Sequence, residues 1–322
     1  MNAAVLHTIN QPPYFEQFPE PVAEENEVIV HVRAAALKPI DKQLASGSHY
    51  AAYRKMPVVC GMDGVGCLDD GTRVFFGSPR PPYGSMAERT VVSRSRCFPI
   101  PDNVKDDIAA AVVNPGLSAW GALVWRAQLA PGETVLILGA TGVTGKLAIQ
   151  TAKLLGAGRV IAAGRNEQGL NTLHDLGADA TIRLGKPSQD LTEAFAREAG
   201  DNGFDVIIDY LWGPTTEALL AAIARSDFKQ ASCRVRLVEV GESAGPTISL
   251  AAAVLRSSRL EILGAGSGNA VAAPEIWIEA IRQLMSNIGC GTLRIDTERV
   301  PLSEVENAWH QEQHGRRAVI IP

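Results

Sequence analysis

Three glycines within seven residues form the segment of this chain with the most specific chemistry. The segment LGATGVTGK, residues 138–146, lies between an apolar run that predicts a strand and an amphipathic stretch that predicts a helix. In the dinucleotide fingerprint G-x-G-x-x-G, the second glycine lets the backbone approach a pyrophosphate and the third lets the helix pack closely on the strand. Here Ala140, Gly142 and Gly145 take the three positions, and Gly139 supplies flexibility to the turn. A pyrophosphate at the helix N-terminus would be stabilised by free N–H groups and the helix dipole.

This loop therefore predicts a dinucleotide site, and a merely tight turn between strand and helix is the open alternative. The predicted contacts are Gly139, Thr141, Gly142, Val143 and Lys146. A P-loop is excluded because the spacing from Gly139 to Gly145 is one residue too long and Leu147 stands where a hydroxyl should hold Mg²⁺. A short-chain dehydrogenase is disfavoured because no tyrosine has a lysine four residues later.

The residue at the end of the next strand selects between NAD and NADP. An acid there would bind the ribose 2′-hydroxyl of NAD, but residues 162–166 read AAGRN and contain none. The guanidinium of Arg165 suits a 2′-phosphate through charge-assisted hydrogen bonds, and Lys146 adds charge nearby. We therefore expect NADP, with Gly164, Arg165 and Asn166 as contacts; a solvated surface cation is the alternative reading of Arg165.

The elements that must position this loop form two contrasting regions. Residues up to about 110 consist of short strand-like pieces separated by Pro-rich and Gly-rich turns. Helical composition follows at 107–113 and 117–128, with a break expected at Pro115-Gly116, and strands then alternate with helices over about 130 residues. The alternation predicts an α/β fold with a doubly wound parallel Rossmann sheet. The expected domains are a β-rich part at 1–115, a dinucleotide-binding domain at 116–268 and a return segment at 269–322.

Composition narrows the class of protein further. The chain has 322 residues, is 46% hydrophobic and carries a formal net charge of −5, which fits a folded enzyme and gives no reason to expect a nucleic-acid partner. Five scattered cysteines without a C-x-x-C pair fit a reducing compartment, and no signal peptide or long apolar run is evident. We therefore expect a cytoplasmic protein that neither spans nor binds a membrane.

Several short motifs in a consistent order resemble the medium-chain dehydrogenase/reductase superfamily, in particular its zinc-independent quinone oxidoreductase branch. The motifs are LKPID at 37–41 with Gly47 six residues later, GMDGVG at 61–66, NPGLSAW at 114–120, the glycine loop, LGAD at 176–179, FDVIID at 204–209, VPL at 300–302 and RAV at 317–319. The resemblance implies that the Rossmann sheet is inserted in a GroES-like catalytic domain. It also implies nicotinamide contacts from Ser118 and from the backbone of Gly241, Gly264 and Ala265, and Leu211 is expected among the cofactor contacts.

The resemblance raises the question of zinc, and the residues argue against a metal. Zinc-dependent members have a cysteine where this chain has the segment Lys38-Pro39-Ile40 and a histidine where it has Met62. An ammonium and a thioether are poor replacements in a tetrahedral Zn²⁺ site. Of the four cysteines that form the structural zinc lobe of relatives, only Cys97 is present, and His310 and His314 do not complete H-E-x-x-H.

Without a Lewis acid, hydride transfer to a quinone or an α,β-unsaturated carbonyl is easier than chemistry on a simple alcohol. Tyr50 is the first candidate proton donor, Tyr53 the second, and His49 an alternative at the unshifted position. Lys38 replaces the asparagine of quinone oxidoreductases and is a third catalytic candidate. An exposed loop side chain remains the plain alternative for each.

The predicted activity is thus NADPH-dependent reduction of a small quinone or conjugated carbonyl compound. A non-catalytic NADPH-binding protein and an aldehyde or alcohol reductase are the alternatives. Trp212 either walls the nicotinamide cleft or packs in the core. The loops at 48–56 and 266–273 are expected to set the substrate, and the strand at 260–263 could pair in a homodimer.

Overall fold

The computed structural model describes residues 1–224, 234–266, 274–311 and 315–322. The chain forms two compact units: the first unit is Met1–Asn114 with Ile281–Pro322, and the second unit is Pro115–Ala280. The unit boundaries fall at 114/115 and 280/281, whereas the sequence suggests domain boundaries at 115/116 and 268/269. Cys233, His314 and most of the 266–273 loop lie outside the described residues.

The strands are β1 (Asn2–Leu6), β2 (Tyr14–Gln17), β3 (Glu27–Ala36), β4 (Val58–Val59), β5 (Asp63–Cys67), β6 (Arg73–Gly77), β7 (Arg89–Ser93), β8 (Cys97–Pro99), β9 (Thr134–Leu138), β10 (Arg159–Gly164), β11 (Ala180–Arg183), β12 (Val206–Asp209), β13 (Val235–Glu239), β14 (Leu260–Gly264), β15 (Thr297–Pro301) and β16 (Arg317–Ile321). The helices are α1 (Pro39–Ser46), α2 (Asp106–Trp120), α3 (Val143–Leu154), α4 (Glu167–Asn171), α5 (Ser188–Ala199), α6 (Gly213–Ile223), α7 (Ala252–Ser257), α8 (Pro274–Gly289) and α9 (Val305–His310).

The first unit is mainly β. One sheet has the order β2-β1-β4, and a seven-stranded sheet has the order β15-β16-β3-β5-β6-β8 with β7 paired to β3. Strand β3 is central because it pairs with β5, β7 and β16. Helix α1 begins at Pro39, whose fixed φ suits the first helical position. The β3–α1 connection therefore places Lys38 at the end of a buried strand.

The second unit contains a six-stranded parallel sheet with the order β11-β10-β9-β12-β13-β14. Strand β9 is apolar on both faces because helices cover both: Val135 and Ile137 face one core cluster, Leu136 and Leu138 the other. Chain order reverses direction between β9 and β12, so this is the doubly wound topology in which ligands bind beyond the carboxyl ends of the strands. The predicted fold class is confirmed.

Helix α2 differs from its prediction because it runs through Pro115 and continues as a π-helical segment, Gly121–Arg126. The expected break at Pro115 is absent, so the loss of one N–H donor is tolerated there. Over Asp106–Arg126, this is the one helix of the described residues that is long and apolar enough to cross a bilayer. It is 61% buried within the protein, as a core helix would be, so it is weak evidence for a membrane span. The search for a long uninterrupted apolar run in the sequence does not detect this helix.

Candidate functional site

The glycine loop follows β9 in the second unit, and its backbone explains two of its glycines. Gly139 has a φ of +82°, a conformation that glycine adopts without strain. A Cβ on Gly145 would lie 2.4 Å from the carbonyl oxygen of Gly139 and 2.6 Å from the Cα of Ala140. These atoms belong to the backbone, so the first turn of α3 packs on the loop only because Gly145 has no side chain.

The N-terminus of α3 is uncapped by any side chain. Gly142 is the N-cap residue in an extended conformation, and it accepts only the first intrahelical bond, from the N–H of Lys146 at 2.9 Å. The first N–H groups of a helix have no intrahelical acceptor, and together with the helix dipole they suit an anion. Val143 occupies the first turn of this twelve-residue helix. The loop thus has the arrangement that a pyrophosphate requires.

The end of β10 lies beside this loop. A Cβ on Gly164 would lie 2.6 Å from Cγ2 of Thr141, so the loop and the strand end are in close contact. Asn166 caps α4 through its Oδ1, which accepts the N–H of Gly169 at 2.9 Å. Arg165 between them is exposed and forms no ion pair with any described residue. Its guanidinium is therefore available to an anionic ligand.

Four of the remaining predicted cofactor contacts lie at or just beyond the carboxyl ends of strands. Leu211 follows β12, and its Cδ2 would lie 3.2 Å from a Cβ on Gly139. Gly241 follows β13, where its N–H donates to the carbonyl oxygen of Asp209, while Gly264 and Ala265 end β14. These residues thus occupy one edge of the sheet together with the glycine loop. Ser118 lies on α2 and is half-buried.

Asp209, which the sequence suggested only as part of a family motif, organises the turn after β12. Its Oδ1 accepts the N–H groups of Leu211 and Trp212 at 2.8 and 2.9 Å, and its Oδ2 accepts the hydroxyl of Thr216 at 2.5 Å. These bonds hold Trp212 at a φ of +54°, which is rare for a residue with a side chain. Trp212 packs half-buried against the core on one face of the sheet.

Glu239 ends β13 in register with Asp209. Burial, followed by repulsion from Asp209 and Glu242, raises the pKa of Glu239. Burial likewise raises the pKa of Asp209, although its three donors work against this effect. Two neighbouring strands therefore end in carboxyl groups that resist ionisation.

In the first unit, Lys38 lies in a buried charge cluster. Its side chain is 1% exposed, and its Nζ lies 2.6 Å from Oδ1 of Asp63 and 3.7 Å from Oδ2 of Asp41. Burial acts to lower the pKa of Lys38, but attraction to the two aspartates outweighs it and holds that pKa above its usual value. Arg317 lies close by, donates to the carbonyl oxygen of Leu37 at 3.1 Å, and has its pKa lowered by burial to about 10. The ammonium of Lys38 is thus enclosed, and Lys38 stays a candidate for catalysis only on the strength of the resemblance.

The two tyrosine candidates have contrasting environments. Tyr50 is 70% exposed, and its ring lies 4.1 Å, centroid to centroid, from that of His49. Tyr53 is half-buried beside the core that contains Cys60. Burial raises the pKa of Tyr53 well above its usual value, with Cys60 and Asp41 adding to the effect, so its hydroxyl is a weak acid. Nδ1 of His49 accepts the N–H of Ala51 at 3.1 Å, which leaves Nε2 as the protonated nitrogen of the neutral ring.

The residues at the zinc positions of relatives do not form a ligand set. Among the described residues no group of three or more His, Cys, Asp or Glu side chains could hold a metal ion. Met62 is half-buried, and burial raises the pKa of Cys97 to about 11, so its thiol stays protonated at neutral pH. A cavity of about 430 Å³ in the first unit is lined by Asn2, Phe15, Glu88 and residues 299, 301–303 and 321–322, with no predicted site residue among them.

Comparison with known proteins agrees with this geometry. A family model described as zinc-binding dehydrogenase matches residues 143–286. Quinone oxidoreductase-like protein 2 of Bos taurus is 29% identical over 272 residues, which cover 81% of this chain and 74% of that protein. A probable NADPH-dependent quinone reductase of Emericella nidulans is 25% identical, with both chains fully covered. The quinone oxidoreductase of Thermus thermophilus, whose structure was also determined with NADPH, is 27% identical over the whole of both chains, with a TM-score of 0.81.

Proposed function

We propose that this chain belongs to the quinone oxidoreductase-like branch of the medium-chain dehydrogenase/reductase superfamily, and that it is an NADPH-dependent enzyme that reduces a quinone or an α,β-unsaturated carbonyl compound without zinc. The observation that carries the proposal is the glycine loop beside a β10 end that has an exposed arginine and no acid. Relatives that are named for quinone reduction with NADPH support the same activity.

The residues of the second unit fit NADPH. The pyrophosphate would be held by the loop from Gly139 to Gly142 and the first turn of α3, and the 2′-phosphate by Arg165. Leu211, Gly241 and Ala265 would line the nicotinamide half of the crevice, at the ends of β12, β13 and β14. When bound, NADPH supplies a hydride.

Zinc does not fit the residues at the positions where relatives hold it. Where a thiolate ligand would be needed, the ammonium of Lys38 is buried and already paired with Asp63 at 2.6 Å. A divalent cation at that point would face a buried positive charge, and Met62 offers only a thioether. The zinc named in the family description therefore does not extend to this chain. Metal analysis of the purified protein should find no stoichiometric zinc, and bound zinc whose removal abolishes activity would contradict the proposal.

The part left to the protein is to stabilise charge on the substrate oxygen and to provide a proton. A hydrogen-bond donor aimed at the developing oxyanion supplies both. Tyr50 suits this role better than Tyr53, because it is exposed whereas burial makes Tyr53 a weaker acid. The hydroxyl of Tyr50 would donate to the oxygen and be reprotonated from solvent.

The test of the activity is to follow NADPH oxidation with a panel of quinones, conjugated enones and saturated aldehydes. We expect turnover of quinones or enones, and little turnover of saturated aldehydes. Tight NADPH binding with no turnover on any compound would refute the enzyme and leave a binding protein. Turnover of saturated aldehydes alone would instead show an aldehyde reductase.

The choice of cofactor is tested at Arg165. Replacing it with alanine should weaken NADPH binding about tenfold or more, because charge-assisted hydrogen bonds to the 2′-phosphate are lost. NADH has no such phosphate, so its binding should change little. Equal losses for both cofactors would contradict the assignment of Arg165 to the 2′-phosphate.

We further propose that the enzyme works in a reducing compartment such as the cytoplasm and pairs as a homodimer through β14. Cys60, Cys67, Cys97 and Cys290 are all free thiols, which suits such a compartment. Among the described strands, β14 is the edge of its sheet, so one side of its backbone can pair with a second copy of the chain, and Ile262 on it is exposed. Size-exclusion chromatography with light scattering tests the dimer, and a monomer at micromolar concentration would refute it.

A further inference from the structure

We propose that Arg183 is a second determinant of NADPH specificity, which neutralises Glu167 and binds the 2′-phosphate together with Arg165. This inference rests on the proposed use of NADPH. Nothing in the sequence near the fingerprint indicates Arg183, because it lies on a different strand, 18 residues beyond Arg165.

The register of the sheet brings Arg183 to the site. Arg183 is the last residue of β11 and pairs with Gly164, the last residue of β10. The N–H of Leu184 donates to the carbonyl oxygen of Gly164 at 2.8 Å, which extends the pairing past the strand end. Neighbouring strands lie about 4.8 Å apart, so the backbone of Arg183 is adjacent to the turn that carries Arg165.

The direction of the side chain also agrees with this role. Ile182 is buried in the core on one face of the sheet, and successive side chains of a strand alternate between faces. Arg183 therefore extends on the opposite face, where Leu170 of α4 packs. Its Nη1 lies 2.8 Å from Oε2 of Glu167, in the first turn of α4. The guanidinium of Arg183 thus lies over the turn formed by residues 165–167.

The charge at this turn explains why a second arginine is needed. Arg165 contributes one positive charge, but Glu167 lies two residues later and would repel a phosphate dianion. By pairing with Glu167, Arg183 removes that repulsion, and its remaining N–H groups can donate to the phosphate because a guanidinium carries five donors. Both side chains of the pair are more than half exposed, 55% for Arg183 and 64% for Glu167, so ligand can reach them. Such an exposed pair adds little to stability, which leaves binding as its main consequence.

The experiment measures binding of 2′,5′-ADP and 5′-AMP to the full chain by isothermal titration calorimetry. These two probes differ by the 2′-phosphate and need no turnover. Arg183→Ala should weaken 2′,5′-ADP roughly tenfold, since a charge-assisted contact is lost and the charge of Glu167 is uncovered. Its effect on 5′-AMP should stay within about twofold.

The companion variants separate the two roles of Arg183. Glu167→Gln should strengthen 2′,5′-ADP binding a few-fold, because it removes a repulsive charge without losing a donor. The double variant Glu167→Gln/Arg183→Ala should recover part of the loss caused by Arg183→Ala. Arg197→Ala is the matched control, since Arg197 is an exposed arginine of the same unit whose nearest carboxylate oxygen is 4.0 Å away. It should leave both affinities unchanged.

Two results would overturn the inference. If Arg183→Ala weakens the binding of 2′,5′-ADP and 5′-AMP equally, the role of Arg183 is merely structural. If it weakens the binding of neither, the Arg183–Glu167 pair is a surface ion pair without a role in binding. If unmodified protein binds 5′-AMP as tightly as 2′,5′-ADP, the proposed preference for NADPH fails as well. In contrast, normal 2′,5′-ADP binding without turnover on any substrate would refute the proposed activity alone.

Discussion

Replacing Lys38 with methionine should strongly destabilise the first unit, because it removes the ammonium that pairs with two buried aspartates. Methionine has a similar length and no charge, so the change removes little packing. With an effective dielectric constant of about 20, the attraction of Lys38 is about 6 kcal/mol to Asp63 at 2.6 Å and about 4.5 kcal/mol to Asp41 at 3.7 Å. Desolvation of the ions offsets much of this attraction. Breaking one side of a buried pair nevertheless typically costs about 3–5 kcal/mol, which we expect for Lys38→Met.

A comparison of variants separates the effect of the lost charge on stability from the effect of the lost packing. Asp63→Asn should cost less than Lys38→Met, because Lys38 keeps Asp41 as a partner. The double variant Lys38→Met/Asp63→Asn should cost less than the sum of the single changes, since one of the uncompensated charges is then absent. Lys105→Met provides the matched control, because Lys105 is an exposed lysine of the same unit. It should change stability by less than about 0.5 kcal/mol.

The assay is urea unfolding followed by ¹⁹F NMR of protein labelled with 5-fluorotryptophan. Trp309 is the one tryptophan of the five that lies in the first unit, where it packs in the same core as Leu37, the neighbour of Lys38 along the chain. Its resonance therefore reports on the first unit, and the other four report on the second. Two results at the Trp309 resonance would refute the conclusion that Lys38 is charged within the cluster. One is a loss of stability below about 1 kcal/mol in Lys38→Met, and the other is a double variant whose loss equals the sum of the losses in the single variants.

Three further changes in the second unit have distinct expected results. Glu239→Gln should raise stability at pH 8 by up to about 1 kcal/mol and change it little at pH 4. Burial raises the pKa of Glu239, so the folded protein loses stability as the pH rises through that pKa, and glutamine avoids this loss. Urea unfolding at both pH values checks the prediction, and a loss of stability at pH 8 would contradict it. In thermal unfolding, Asp209→Ala should lower stability by about 3 kcal/mol and Asp209→Asn by only about 1 kcal/mol, because an amide oxygen can keep both backbone hydrogen bonds. Equal losses of stability in the two variants would contradict this explanation. Gly145→Ala should weaken NADPH and NADH binding alike, since its Cβ would meet the loop backbone at 2.4 Å, and selective loss of one cofactor in fluorescence titrations would argue against it.

The parts of the fold that were predictable from the sequence are those fixed by neighbours along the chain. The strand, loop and helix at 134–155 follow from an apolar run, three glycines and a helical stripe, all within about twenty residues. The structure places β9 at Thr134–Leu138 and α3 at Val143–Leu154, close to that prediction. The path of α2 through Pro115 was not predictable in this way, because burial of much of the helix, including Pro115, outweighs the local preference of proline to end it.

Contacts of the candidate site that depend on pairing between elements distant in the chain were not predictable from the sequence. The sequence suggests Arg165 because it follows the second strand of a known motif, whereas Arg183 reaches the same turn only through the register of β10 with β11. Asp209 and Glu239 likewise become neighbours through the pairing of β12 with β13. Burial raises the pKa of Glu239, and repulsion from Asp209 adds to that effect. Tyr50 and Tyr53 are three residues apart, yet one is exposed and the other is half-buried beside Cys60. Burial, which raises the pKa of Tyr53, is a property of the folded unit.

Lys38 illustrates how a single substitution changes the meaning of a motif. The sequence allowed a catalytic role because Lys38 takes the position that an asparagine has in quinone oxidoreductases. In the folded chain Asp63, which lies 25 residues later, takes that donor at 2.6 Å, and the side chain is 1% exposed. A buried ammonium with two carboxylates is satisfied electrostatically and repels any added cation. The same residue that argues against a metal is also too deeply buried to donate to a substrate, which leaves the exposed Tyr50 as the stronger candidate to deliver the proton.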